Sequence, residues 1–243
     1  MEYWYLTHPG CVRTMNQDAC YAEQLDKNTL LCVVCDGMGG AKAGNVASSL
    51  AIEVFAQELK NSYSPDLNGD KLKNVLENAI KLANFTVYDQ AQQFEEFAGM
   101  GTTLAAVLIR GREVTAVNVG DSRVYRINED GITQITRDHS VVQMMVDRNE
   151  MTSEQAKNYP GKNLITRAIG TETMVTCDIF NQKLQKGEHL LLCTDGLSNL
   201  LSDQELLFEV LHGGETAGCC QRLLDIAIKR GAPDNVTSVL VAL

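Results

Sequence analysis

The sequence lacks the features that mark membrane, secreted and nucleic-acid-binding proteins. No apolar run approaches the ~18 residues of a membrane-spanning helix, and the first residues carry neither the cationic nor the hydrophobic region of a signal peptide. Basic residues are in the minority, since 21 Lys and Arg stand against 31 Asp and Glu for a formal net charge of -10. Such a surface is not built to attract a phosphate backbone. We therefore expect a cytoplasmic protein that binds neither membranes nor nucleic acid.

Linkers and repeats are missing as well. The chain has only 4 Pro, and no Pro- or Ser-rich stretch, low-complexity block or fixed-period repeat divides its 243 residues. We expect a single domain over residues 1–243. Residues 140–162 differ from the rest because they are polar, contain Met and are broken by Pro160-Gly161. This pattern is typical of a helical segment that leaves the main fold and covers another part of the protein.

The eight cysteines occur in no pattern that carries cysteine chemistry. None is followed six positions later by the Arg that a cysteine phosphatase needs. Cys32 and Cys35 have the spacing of a zinc pair, but the apolar run LLCVVC predicts a buried strand that points the two sulfurs to opposite faces. We expect reduced thiols that pack in the core.

Apolar patterns predict an α+β fold. Helical periodicity starts at Val46 and at Leu72, a third stripe starts at Cys220, and Ser202 to Glu205 has the form of a capping box. Strand-like runs cover residues 30–35, 103–109, 114–119, 124–127, 190–193 and 236–243. Neighbouring runs are too close in sequence for a helical crossover, so we expect antiparallel pairs rather than a doubly wound parallel sheet.

Four aspartates lie beside the end of an apolar strand, namely Asp36, Asp121, Asp195 and Asp234. Carboxylates that meet at strand ends repel one another in a low dielectric, and protonation or a divalent cation relieves the repulsion. Oxygen ligands select hard ions such as Mg²⁺ or Mn²⁺. Any single Asp at such a position is more often a turn residue, and spacing alone does not bring the four together.

Motifs of other enzyme classes fail in detail. The Gly-rich loop at residues 36–44 has Ala on both sides of Lys42, which a P-loop does not allow, although its backbone is free to approach a ligand. Ser122 has no G-x-S-x-G around it. The acids from Asp66 onward have EF-hand spacing, but Lys71 replaces the required glycine.

Eight short phrases, in order, resemble the PP2C-type (PPM) metal-dependent protein Ser/Thr phosphatases, most of all the compact bacterial members. The phrases are VRTMNQD at 12–18, CDGMGG at 35–40, GTT at 101–103, VGDSR at 119–123, DHS at 138–140, LITRAIG at 164–170, TDGL at 194–197 and DNVT at 234–237. The resemblance runs from about Val12 to the C-terminus. It implies a four-layer α-β-β-α sandwich, with two antiparallel sheets face to face, helices outside and a metal centre at one end.

The resemblance also implies a ligand set for two Mn²⁺ or Mg²⁺ ions. Asp36 bridges the two ions, Asp195 and Asp234 complete one of them, and the Gly37 carbonyl with water completes the other. Asp121, together with Asp195, matches the position that binds a third, weaker metal in bacterial relatives.

Two more residues belong to the implied catalytic centre. Asp18 holds metal-bound water from the outer shell, and Arg13 matches the arginine whose planar fork binds phosphate oxygens. The implied reaction is the hydrolysis of phosphoserine and phosphothreonine by a hydroxide that bridges the two metals, with charge on the phosphoryl group stabilised by the metals and Arg13.

Two positions depart from the family pattern. Met38 stands where many eukaryotic members carry a His proposed as the acid for the leaving group, so we expect metal-bound water to supply that proton. Ala41 stands where bacterial members often have His, so rate or substrate preference is expected to differ. Residues 140–162 correspond to the family's flap over the active site.

The implied partners are phosphoprotein substrates and a bacterial Ser/Thr kinase of the eukaryotic type, which the enzyme would oppose, and the implied state is a monomer. Two alternatives stay open at this point. One is a catalytically weak or inactive phosphoprotein-binding module of the same fold. The other is a carboxylate-lined structural cation site, which predicts metal-dependent stability without turnover.

Overall fold

The computed structural model of the chain describes residues 1–40, 43–157 and 159–243. Ala41, whose effect on rate and substrate preference the sequence raises, lies outside these described residues. Among them, no helix combines the length and the apolar character that crossing a bilayer requires.

Strands in the described ranges form two antiparallel sheets, labelled here in chain order. The first sheet has the spatial order β1 (Glu2–His8), β11 (Val236–Ala242), β10 (His189–Cys193), β7 (Arg123–Asn128) and β8 (Gly131–Gln134). The second has the order β2 (Asp18–Asp26), β3 (Thr29–Met38), β5 (Leu104–Arg110), β6 (Glu113–Val119) and β9 (Asp178–Lys183), with the short β4 (Gly101–Thr102) on β3.

Helices cover the outer face of each sheet. The second sheet is covered by α1 (Ala43–Ser62) and α2 (Gly69–Gln93), and the first by α5 (Asp195–Ser198), α6 (Asp203–Leu211) and α7 (Cys219–Lys229). Residues 140–162 contain two short helices, α3 (Val141–Asp147) and α4 (Ser153–Lys157), and 3₁₀ turns lie at Glu95–Phe97 and Thr216–Gly218.

The core has three apolar layers because the central strands are buried on both faces. Along β3, alternate side chains go to different layers, as the period of two in an extended strand requires. Those that pack between the two sheets are Leu30, Cys32 and Val34. Those that pack against α1 and α2 are Leu31, Val33 and Cys35. The α+β class and the four-layer α-β-β-α sandwich are therefore confirmed, and the two cysteine sulfurs point apart as expected.

The helix starts follow local sequence chemistry. Ser202 accepts a hydrogen bond from the Glu205 amide, and the Glu205 carboxylate accepts one from the Ser202 amide, so the capping box that opens α6 is present as predicted. On α2, the buried stripe Leu72, Leu76, Ile80 and Ala83 recurs at three and four residues and packs on the second sheet.

Candidate metal centre

The predicted acids gather at one end of the sandwich because antiparallel strands bring the start of one strand beside the end of its neighbour. Asp18 opens β2 and lies opposite Asp36, which comes near the end of β3. In the other sheet, Asp195 comes two residues after the end of β10 and Asp234 two residues before the start of β11, and these two strands pair with each other. Asp121 follows β6 at the same end.

Asp36 and Asp195 link the two sheets. Their carboxyl groups lie within hydrogen-bonding reach of each other, an approach that two carboxyls tolerate only with a shared proton or a cation. Burial raises the pKa of Asp36 well above its ordinary value, and the charges of Asp18, Asp195 and Asp121 raise it further. Burial also raises the pKa of Asp195, and the charge of Asp234 acts in the same direction.

Asp18 forms the floor of this end. Its side chain is buried, with 6% of the residue exposed, and burial together with the charges of Asp195 and Asp234 raises its pKa to about 7 despite hydrogen bonds from Thr194 and Thr237. Thr194 Oγ1 donates to Asp18 Oδ2 at 2.8 Å. Asp18 Oδ1 is buried and has no hydrogen-bond partner among the described residues. It is an acceptor held in place without a donor.

Asp121 is half-buried on the turn between β6 and β7. Burial, followed by the charges of Asp195 and Asp138, raises the pKa of this carboxyl to about 8. The turn is fixed from behind by His139, whose Nδ1 accepts a hydrogen bond from the Gly120 amide at 3.1 Å. The other ring nitrogen, Nε2, lies 3.2 Å from Asp178 Oδ2.

Arg13 lies at the open side of the centre and pairs with a predicted metal ligand. Its Nη2 donates to Asp234 Oδ2 at 2.9 Å, and the two side chains are 54% and 38% exposed. Asn235 holds the loop that carries Arg13, because its amide nitrogen donates to the carbonyls of Pro9 and Met15 and its amide oxygen accepts from the Gln17 amide. The guanidinium is thus a cation presented beside the acids by an anchored loop.

Two glycines allow the backbones to come this close. A Cβ at Gly37 would lie 2.0 Å from the carbonyl oxygen of Gly44, and one at Gly196 would lie 1.9 Å from the carbonyl oxygen of Asn235. Any side chain would force these segments apart. Gly37 therefore keeps the end of β3 against α1, and Gly196 keeps Asp195 close to the segment that leads from Asp234 into β11.

The donor chemistry fits hard divalent cations. The groups at this end are carboxylate and carbonyl oxygens, four of the carboxyls have raised pKa values, and Asp18 Oδ1 is an orphaned buried acceptor. In the described part of the chain, no three His, Cys, Asp or Glu side chains form a group that could hold a metal ion by themselves. Coordination would therefore draw on water and on carbonyls such as that of Gly37.

Sequence reasoning missed the residues that orient the acids. Thr194, Thr237 and Asn235 stand inside or beside the quoted phrases, but no role follows from their types alone. Thr194 and Thr237 are fully buried and Asn235 is 5% exposed. A buried hydroxyl or amide next to a predicted ligand is the signal that would have pointed to them.

Comparisons with known proteins agree on one family. The family model for protein phosphatase 2C matches residues 12–222. The chain is 38% identical over 241 residues to the serine/threonine protein phosphatase PstP of Mycobacterium tuberculosis, and 34% identical over 246 residues to the serine/threonine phosphatase stp of Listeria innocua. A structure of the catalytic domain of a PstP phosphatase, in complex with two manganese ions, matches with a TM-score of 0.84 and 36% identity over 98% of this chain and 96% of that one.

The two relatives differ in length relative to this chain. The alignment covers 99% of the chain in both cases, but it spans 44% of PstP and 95% of the Listeria phosphatase. The chain thus spans less than half of the one relative and nearly all of the other.

Proposed function

The chain belongs to the protein phosphatase 2C family, and we propose that it is a metal-dependent phosphatase that removes phosphate from phosphoserine and phosphothreonine in proteins. The observation that carries the proposal is the set of carboxyls that both sheets contribute to one end of the sandwich, with raised pKa values at Asp18, Asp36, Asp121 and Asp195. Such a set is costly to a fold unless cations offset its charge. The names of the Mycobacterium and Listeria relatives, both serine/threonine phosphatases, support the substrate class.

We propose that Asp36, Asp195, Asp234 and the carbonyl of Gly37 hold two divalent ions, Mn²⁺ or Mg²⁺. The manganese in the PstP structure supports this choice of ion. When bound, such ions lower the pKa of water into the neutral range and neutralise charge on phosphoryl oxygens. Asp121, with Asp195, is the proposed place of a third, weaker ion.

The chain's own side chains supply binding, orientation and proton acceptance. Arg13 would bind phosphoryl oxygens through its two-pronged guanidinium, exchanging its contact with Asp234 for the substrate. Asp18 Oδ1 would accept a proton or a hydrogen bond from the attacking water, because the two threonines leave this oxygen free. Leaving-group protonation falls to water, since Met38 has no acidic proton.

A covalent cysteine intermediate does not fit this centre. Burial raises the pKa of the Cys35 thiol well above its ordinary value, and it raises the pKa values of the Cys20 and Cys193 thiols to about 12. Protonated thiols are poor nucleophiles. Direct attack by water is therefore the reaction that these residues support.

The proposal also covers the domain organisation, the oligomeric state, the location and the partner of the protein. We propose that residues 1–243 form one domain, that residues 140–162 act as a flap beside the centre, and that the protein is a cytoplasmic monomer. A bacterial Ser/Thr kinase is the proposed counterpart, because a phosphatase of this class needs an enzyme that makes its substrate.

Hydrolysis of a phosphothreonine peptide tests the proposal. The wild-type protein is assayed with Mn²⁺ and with EDTA, beside Asp195→Ala and a control, Asp225→Ala, which removes an exposed carboxyl of α7. We expect activity with Mn²⁺ in the wild type and the control, and a loss of at least a hundredfold in kcat with EDTA or Asp195→Ala. A phosphotyrosine peptide in parallel measures the residue preference.

The same assay separates the alternatives. Activity that persists with EDTA or in Asp195→Ala would exclude the metal mechanism. A wild type that binds the phosphopeptide but is inert with Mn²⁺ would instead be a binding module, and one that gains only thermal stability from Mn²⁺ would hold a structural cation. The acids and Arg13 are all present, so we do not favour either alternative.

A further inference from the structure

A groove of about 910 Å³ lies outside the metal centre, along β9. One wall is the first half of α2, including Leu72, Lys73 and Glu77, and the floor is the outer face of β6 and β9. Here the helix layer leaves one corner of the second sheet uncovered. The lining mixes apolar surface with charges of both signs, Lys183 on the strand and Lys73 and Glu77 on the helix.

The strand along this groove has a free edge. In the described part of the chain, β9 pairs with β6 on one side and is the outermost strand of its sheet. Leu184 N donates to the directly opposite Arg112 O at 2.8 Å, so these two residues form a hydrogen-bonded pair. Along an antiparallel ladder, hydrogen-bonded pairs alternate with pairs whose main-chain groups point away from the partner strand. The main-chain groups of Ile179, Asn181 and Lys183 therefore turn away from β6 towards the open side.

The start of β9 is connected to the metal centre. Asp178 pairs with Asn118 near the end of β6 and accepts a hydrogen bond from Arg167 at 2.9 Å. Its other oxygen faces His139, and His139 holds the Gly120 amide beside Asp121. The groove thus begins next to the candidate centre and follows the six residues of β9 away from it, a length of about 20 Å at ~3.3 Å per residue.

We propose that this groove docks an extended segment of the phosphoprotein substrate, which adds to β9 as a further strand. The inference rests on the proposed function, because it takes the polypeptide that enters the metal centre as the occupant. N–H and C=O groups that point outward from alternate residues can pair with the main chain of an extended peptide. They do not match a compact anion or a nucleotide. Because the walls carry charges of both signs, they select no single charge on the substrate, and main-chain hydrogen bonds would supply most of the binding. Substrate residues distant from the phosphate would then contribute to recognition.

Kinetics with substrates of two lengths test this docking. Lys183→Pro removes an outward N–H and adds a ring to the edge without removing a bond to β6, and Lys183→Gln is the control that removes only the charge. The substrates are a phosphothreonine peptide of about 20 residues and p-nitrophenyl phosphate, both with Mn²⁺. We expect the KM for the peptide to rise roughly three- to tenfold in Lys183→Pro, the worth of about one hydrogen bond. Its kcat, both constants for the small substrate and the Gln control should stay as in the wild type.

Other kinetic outcomes overturn the inference. An unchanged peptide KM in Lys183→Pro shows that the edge is not used, and the same rise in Lys183→Gln shows that a charge, not the main chain, is read. If no variant or wild type cleaves either substrate, the proposed function itself fails, and the docking is then judged by binding alone.

Amide hydrogen exchange provides that binding measurement and covers a proline variant that fails to fold. Exchange at Ile179, Asn181 and Lys183 is measured in the Mn²⁺-loaded wild type, with and without the dephosphorylated peptide. Peptide-dependent protection of these amides supports the inference, and no protection overturns it. Protection that instead rises with protein concentration, together with a dimer in light scattering, identifies a second copy as the occupant and also overturns it. Lys73→Trp, which narrows the groove from the helix side, should weaken the protection.

Discussion

Thr194 and Thr237 show how single residues prepare the centre. Both belong to the first sheet's side of the sandwich. The Thr194 hydroxyl donates to Asp18, which opens a strand of the second sheet, and the Thr237 hydroxyl acts to lower the pKa of the same carboxyl. The Thr237 amide in turn donates to Thr194 Oγ1 at 3.2 Å. A carboxylate held this way presents its other oxygen in one direction, so the hydroxyls fix an acid that is expected to act on water.

We expect Thr194→Val to weaken metal binding by about tenfold, because outer hydrogen bonds that orient a metal site typically matter by this factor. Calorimetric titration with Mn²⁺ measures the affinity, and the Mn²⁺ concentration for half-maximal activity gives a second readout. The matched control is Thr29→Val, a buried threonine on β3 whose hydroxyl bonds to Tyr63. It should lose stability without a change in Mn²⁺ affinity. Equal effects in the two variants would assign Thr194 a purely structural role.

Gly196→Ala should disturb the centre through the backbone. The added methyl would lie 1.9 Å from the Asn235 carbonyl, so the segment that carries Asp195 must move away from the one that carries Asp234. We expect a loss of roughly 2 kcal/mol in stability and a weaker response of the melting temperature to Mn²⁺. Gly40→Ala is the control, since its Cβ would meet nothing within 4 Å. A Gly196 variant as stable as the control would contradict the close approach.

At the scale of elements, the sequence predicted the inner strands and missed the outer ones. The runs read as strands correspond to β3, β5, β6, β7, β10 and β11, all inside their sheets, while β1, β2, β8 and β9 lie at sheet edges. An inner strand of this sandwich is buried on both faces and reads as a continuous apolar run. An edge strand such as β9 (DIFNQK) is partly exposed, and its short mixed pattern is not distinct from a loop.

The site divides in a similar way. The proposed acidic ligands are recognisable because their phrases are local in sequence, as with Asp195 in TDGL. The contacts that orient them join distant segments of the chain. Asn235 accepts a hydrogen bond from the Gln17 amide, and Thr194 donates one to Asp18 in the other sheet. No periodicity or spacing encodes such a contact, so it had to come from the fold.

The capping box of α6 gives an element-scale prediction. Ser202→Ala removes the hydroxyl that accepts from the Glu205 amide, which should cost about 1 kcal/mol, or roughly 2–4 °C in melting temperature for a chain of this size. Because α6 packs on the outer face of the first sheet, kcat should not change. Ser62→Ala, in the last turn of α1, is the control and should melt within about 1 °C of the wild type. A fall in kcat without a fall in melting temperature would show that the cap serves the site instead.

For the whole molecule, the buried acids predict an unusual pH dependence of stability without metal. On folding, the pKa of Asp18 rises from 3.8 to about 7 and that of Asp121 rises from 3.8 to about 8. At pH values between the unfolded and the folded pKa, the folded chain therefore binds more protons than the unfolded chain. Stability must then fall as the pH rises. We expect the melting temperature of the metal-free protein to drop by roughly 10 °C or more between pH 5 and pH 8.5.

Two additions identify the source of that drop. Saturating Mn²⁺ at pH 8.5 should restore the melting temperature, because cations replace the protons. Asp18→Asn, which carries no titrating carboxyl, should flatten the metal-free profile. A melting temperature that rises with pH in the metal-free wild type would show that these carboxyls do not carry the raised pKa values.

The position of β11 has a consequence for synthesis on the ribosome. This strand lies between β1 and β10, and its pairing joins Glu2 to Ala242 across nearly the whole chain. Strands β2, β3, β5 and β6 are translated well before it, so the second sheet can assemble early, while β1 must wait for its neighbour. Contacts of such sequence separation form slowly. Asp234 is translated just ahead of β11, so the candidate centre would lack this proposed ligand until β11 docks between β1 and β10.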